Sequence, residues 1–255
     1  MNYKTISLAM LIASSTITLF SCKKNNDTDF SGFGSVELDF DHKIGSSKLE
    51  LGTANYFNTI GDDFKVLTLK YYLSNFSLTR ADGSVVILPE TYLFIDAAIK
   101  TTTLQELHNV PAGDYTKINF FIGVDSLKNY TTAHIGVFNQ ANAMFIDKEN
   151  GFIFLKFKGT SSKSPQINNQ LNYQISGAKS PINALRKISI SLPAGGLRVR
   201  ENAKPEIHFY VDLSFLFKGE NNINFGLTPI AFGADALIIA NNYAKGMFDV
   251  NHIHN

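Results

Sequence analysis

The sequence predicts an all-β chain: a single antiparallel β-sandwich or barrel-like domain with minor helices. Three observations carry this. The 21 Phe and 10 Tyr among 255 residues are a load that packs well on pleated, half-buried surfaces. Apolar residues alternate with polar ones in one run after another, the period of a strand with one wet face. The runs are separated by Gly-, Pro- and Asp-containing turns, with few stretches of helical period between them.

Taken in order, Val36, Leu38 and Phe40 alternate with Glu37, Asp39 and Asp41, a half-buried strand. Residues 64–79 (FKVLTLKYYLSNFSLT) are apolar on both parities, which predicts a long strand that is bent or bulged. Ala81-Asp82-Gly83 supplies a turn, and residues 92–96 another strand. Pro111-Ala112-Gly113-Asp114 turns the chain into residues 115–124, where Ile118, Phe120, Ile122 and Val124 share a face. Residues 152–157 follow, then Ile188, Ile190 and Leu192 with Ser189 and Ser191 between them. Ile207, Phe209, Val211, Leu213, Phe215 and Phe217 form the cleanest alternation in the chain. Residues 131–145 and 235–248 lean helical.

The amino terminus has a different character. Lys4 precedes an apolar run from Ile6 to Phe20, too short to span a bilayer comfortably, which ends in Leu19-Phe20-Ser21-Cys22. This resembles a bacterial lipobox: an aliphatic residue at −3, a small one at −1, then the cysteine. Cys22 is the one cysteine of the chain, so it is expected to carry a diacylglyceryl group and, once the peptide before it is cut, an acylated amino terminus. Several acyl chains give a stable anchor, at about 0.8 kcal/mol per buried methylene. Residues 1–21 thus read as a lipoprotein signal peptide, 22–34 as a polar tether, and 35–255 as the β domain. The expected location is the cell envelope, lipid-anchored, at the outer membrane.

Composition excludes several classes of function. The formal charge is +1 and falls to zero once Lys4 is removed, which argues against nucleic acid, whose binders concentrate basic charge. A lone cysteine excludes a disulfide framework and cysteine-rich metal centres. No G-x-S-x-G, G-x-x-x-x-G-K or H-E-x-x-H occurs, and Cys22 is committed to the anchor, so the expectation is a non-enzymatic protein. Asp62-Asp63 follows Gly61; calcium binding with Asn oxygens and plain turn chemistry both account for it.

An ordered set of segments carries a family resemblance. These are Phe40-Asp41-His42-Lys43, Lys70-Tyr71-Tyr72-Leu73-Ser74-Asn75, Val110-Pro111-Ala112-Gly113-Asp114-Tyr115, Gly123-Val124-Asp125, Ala141-Asn142-Ala143-Met144-Phe145, residues 151–158, Leu185-Arg186-Lys187, Pro205-Glu206-Ile207-His208 and the tail 250–254. Together they resemble the MbnP-like family of secreted and lipid-anchored proteins, whose founding members are copper-binding proteins of methane oxidisers. The resemblance implies a mainly β fold and a metal-binding ancestry. In those members Cu(I) is held by histidines and a Trp-derived kynurenine, the Trp lying just after the Met-Phe pair. Here Met144-Phe145 is followed by Ile146-Asp147-Lys148, the chain has no Trp, and Gln174 stands where many relatives carry His.

The resemblance implies copper or another transition metal, held by histidines of this chain although the family's Trp-derived ligand is absent. His42 continues the inward parity of Val36, Leu38 and Phe40, where a ring needs a hydrogen bond or a metal. His252-Ile253-His254 puts two rings on one side of an extended chain, the geometry of a shared metal. His208 falls on the polar parity of its strand and reads as a surface residue; His108 and His134 read as loop residues. The metal reading expects His42 to meet another His or Met, from the tail above all. The alternative is a non-metal β-sandwich binding or scaffold lipoprotein with an exposed aromatic patch.

Overall fold

The computed structural model describes residues 30–131 and 134–255; the segment read as a signal peptide and Cys22 lie outside them. The principal strands are β1 (Phe33–Ile44), β2 (Asp63–Arg80), β3 (Tyr92–Asp96), β4 (Leu104–Pro111), β5 (Gly113–Ile122), β6 (Gly151–Thr160), β7 (Gln170–Ser176), β8 (Arg186–Ser191), β9 (Glu206–Asp212) and β10 (Phe248–His254), with one helix of two turns, α1 (Ala236–Tyr243). The fold is nearly all β, as the alternation predicts.

Two sheets carry the core. In the first, β10 pairs with β9, β9 with β1, and β1 with β4. In the second, the order is β8, β5, β2, β6, β7, and β3 also pairs with β2. The pairing is not wholly antiparallel: β1 and β9 run parallel, as do β7 and the short strand Ile230–Ala231. A parallel pair needs a crossover, which no local pattern announces. β2 has apolar residues on both parities because it is shared. Its first half pairs with β6 and its second with β5, and the register slips between Ser74 and Ser77. Asn75 sits there at φ 54°, the left-handed region that Asn tolerates better than most residues.

The sheets meet through aromatic rings. Phe40 stacks on Phe209 at 5.1 Å, and Phe248 meets Phe120 edge-on at 5.2 Å and Tyr71 at 5.7 Å. All five residues are buried. Offset or edge-on pairs of this kind contribute about 0.5–1.5 kcal/mol beyond their area.

Several elements differ from the sequence reading. β1 begins at Phe33, inside the stretch read as tether, where Phe33 and Gly34 pair with Pro111 and Val110. The alternation that starts at Ile207 leaves the strand at Asp212, whose carboxylate accepts from Ser214 N at 2.9 Å and opens a 3-10 turn over Leu213–Leu216. Among the described residues of 131–145 the helical elements are two short 3-10 turns, Gly136–Phe138 and Gln140–Asn142, and α1 is followed by strand from Phe248, so residues 235–248 are helical only in part. Asp62 and Asp63 part company: Asp62 accepts from Phe225 N at 3.0 Å and Asp63 binds Ser162.

Candidate metal centre

β9 is the scaffold of the site. Ile207, Phe209 and Val211 fill the core, so Glu206, His208, Tyr210 and Asp212 face outward. Parallel pairing sets Glu37 beside Glu206 and Asp39 beside His208. On the other edge, Glu206 is opposite His254 and His208 is opposite His252. Two neighbouring cross-strand pairs on one face therefore bring residues 206, 208, 252 and 254 to the corners of one small patch.

The tail reaches that face through a β-bulge. Phe248 and Val250 are buried, and strict alternation would send His252 and His254 inward after them. Instead the register shifts: Phe209 pairs with Val250 but His208 with His252, so Asn251 is the extra residue. The phase flips, Ile253 turns toward the sheet interior beside Ile207, and both histidines come out beside His208. Re-aiming a side chain in this way is a known use of a bulge.

The rings are close. His208 and His252 stack with centroids 4.2 Å apart, and His254 meets them edge-on at 5.2 and 4.8 Å. His252 Nε2 and His254 Nε2 are 3.2 Å apart. One nitrogen from each of the three rings lies within 4.8 Å of the other two. His208 Nε2 is buried and makes no hydrogen bond; Glu206 Oε2 is 3.2 Å away in a geometry that does not form one. Asp39 Oδ2 stands 3.8 Å from His208 Nδ1, and Asn251 Nδ2 is 2.9 Å from His252 Nδ1.

Of the residues picked from sequence, His252 and His254 are brought together and His42 is not. His42 points the other way, into the space between the sheets, with Nε2 3.0 Å from Tyr71 Oη. Burial lowers its pKa from 6.5 to about 4, with Asp39 working against that and Lys100 with it. Burial also holds the Tyr71 hydroxyl well above its ordinary value, so it stays protonated. Since the folded-state value of His42 is below the unfolded one, the unfolded chain takes the extra proton first. This contribution to stability is complete above about pH 6.5 and is lost as the pH falls toward 4. We expect urea unfolding of the wild type to lose about 2–3 kcal/mol more than His42→Gln between pH 7 and 4. Parallel loss in both would rule this account out.

Sequence reasoning missed His208 because its value as a ligand depends on which strand lies beside it. The pattern did hold one signal: a histidine on the wet parity of the cleanest strand.

A nearly all-β protein of two packed sheets, with three imidazoles gathered on an outer face, is the class that fold and site define. Residues 33–234 match the model of the MbnP family, and the chain belongs to that family. Among solved structures, MbnP from Methylosinus trichosporium is similar with a TM-score of 0.53 at 13% identity, over 85% of this chain and 97% of that one. No curated protein matches the chain. The family match ends before α1 and β10, so the site's last two histidines stand on geometry alone.

The two positions that the resemblance singles out, Ile146 and Gln174, supply no imidazole, thiol or thioether in this chain. Ile146 and Gln174 line one cavity of about 440 Å³ with Tyr130, Lys179, Pro181 and Phe232. Its walls hold no imidazole, thiol or thioether among the described residues. The buried, unbonded Nε2 of His208 and the three-imidazole donor set do suit a transition metal.

Proposed function

We propose that this protein is a non-enzymatic, metal-binding member of the MbnP family. It is held at the outer membrane by lipid on Cys22, and it binds a transition metal, copper foremost, through His208, His252 and His254. The observation that carries the reading is the convergence of three ring nitrogens within 4.8 Å on the face of a sheet. Imidazole is a ligand common to copper and zinc. Strands hold the side chains in place, which loops do less well.

The surroundings serve the same end. A ligating imidazole donates its second N–H to an acceptor, which fixes the ring. Asn251 is placed to do this for His252, since a half-turn of its amide exchanges the nitrogen at Nδ1 for an oxygen. Asp39 stands on the far side of His208.

The test is metal analysis of the full chain, purified without a histidine tag and reconstituted with copper. We expect one equivalent bound, a loss of affinity of at least about 100-fold in the His252→Ala/His254→Ala double variant, and no change in His42→Ala. A wild type that retains no metal overturns the reading and leaves the scaffold alternative.

A further inference from the structure

We infer that the site takes a divalent ion, Cu(II) or Zn(II), rather than Cu(I), with the Glu206 carboxylate as a fourth donor. This deepens the metal-binding reading above and rests on it.

Three observations lead there. First, the register makes Glu206 a corner of the same patch: it is opposite His254 and two residues before His208 on one strand face. Its Oε2 lies 3.2 Å from His208 Nε2, a separation that two donors to one ion can share, and the pair makes no hydrogen bond that metal binding would have to break.

Second, Glu37, Glu106 and Asp39 already have lysine partners. Lys204 Nζ lies 2.7 Å from Glu37 and 2.9 Å from Glu106, and Lys100 Nζ 3.2 Å from Asp39. Glu206 instead has its close approach to His208. A half-buried carboxylate among imidazole donors favours a dication over a monocation by simple charge.

Third, the soft donors that Cu(I) favours are elsewhere. The thioethers of Met144 and Met247 are buried in the core, whereas the patch lies on the outer face. Three imidazoles and a carboxylate are borderline-to-hard ligands, which suit Zn(II) and Cu(II).

The experiment is a chelator-competition titration of the untagged full chain with Zn(II), Cu(II) and, under reducing anaerobic conditions, Cu(I). Wild type, Glu206→Gln and Glu37→Gln are compared, with circular dichroism to confirm folding. Glu206→Gln should weaken Zn(II) and Cu(II) about tenfold and leave Cu(I) within twofold. Glu37→Gln, with its lysine-paired carboxylate, should weaken none of them by as much. Equal weakening of all three ions in Glu206→Gln, or no weakening, overturns the inference while leaving the three-histidine site intact. A wild type that binds none of the ions overturns the site and the inference together.

Discussion

Insertion of one alanine after Asn251 weakens metal binding by at least about 100-fold while the rest of the protein stays folded; that is the outcome we expect. Asn251 is the additional residue of the bulge, and the number of residues between Val250 and His252 sets the register of the tail. With two residues there, a full strand period fits without a bulge: Asn251 faces outward opposite His208, His252 moves up to Glu206, and His254 runs past the start of β9. His208 then loses the ring opposite it. Deletion of Asn251 acts the other way. Val250 is then followed directly by His252, and plain alternation keeps His252 and His254 on the outer face and Ile253 inward. The deletion variant should bind metal within about tenfold of wild type, since only the contact of Asn251 with the His252 ring is lost. Isothermal titration of both variants decides: an insertion variant that binds like wild type would show that the register does not aim the site.

Phe120→Ala should be the most destabilising single substitution among those considered. Phe120 is fully buried on β5 and touches both sheets: it stacks on Phe76 at 5.3 Å and meets Phe209 and Phe248 edge-on at 6.1 and 5.2 Å. Truncation removes apolar burial and leaves a cavity between layers that cannot collapse independently, a loss of about 3–5 kcal/mol. Against a usual total of about 5–15 kcal/mol, that is a large fraction. The partners Phe209 and Phe248 lie on the two strands that carry the histidines, so the site should loosen with the core. Phe33→Ala, by contrast, removes a ring that is 61% exposed and should change stability by less than about 1 kcal/mol. Denaturant midpoints of the two variants test the pair, and similar midpoints would refute it.

Much of the fold was legible because alternation is local. Val36, Leu38 and Phe40 face inward as read, and so do Ile207, Phe209 and Val211. Residues 213–217 went astray because the apolar period continues in sequence while Asp212 caps a turn in space. The site was half legible. His252 and His254 are two residues apart, and their sharing a face follows from strand geometry. Which face, and beside what, does not. The bulge at Asn251 lies within a pattern that reads as regular strand, and the partner His208 lies 44 residues upstream, joined to the tail only by the pairing of β9 with β10. His42 was read correctly as inward. Its companion proved to be Tyr71, from the second sheet, because the facing layer and not the tail supplies what an inward ring meets.

The placement of β10 has a consequence in time. On synthesis β1 emerges first and β10 last, yet they lie one strand apart in the finished sheet, with β9 between them. A partly made chain therefore carries Asp39 and even His208 without the pair that completes the ligand set. On the metal-binding role proposed above, competence for the cation comes only once β10 has been made, and a protease that cut between α1 and β10 would leave a folded but metal-blind molecule.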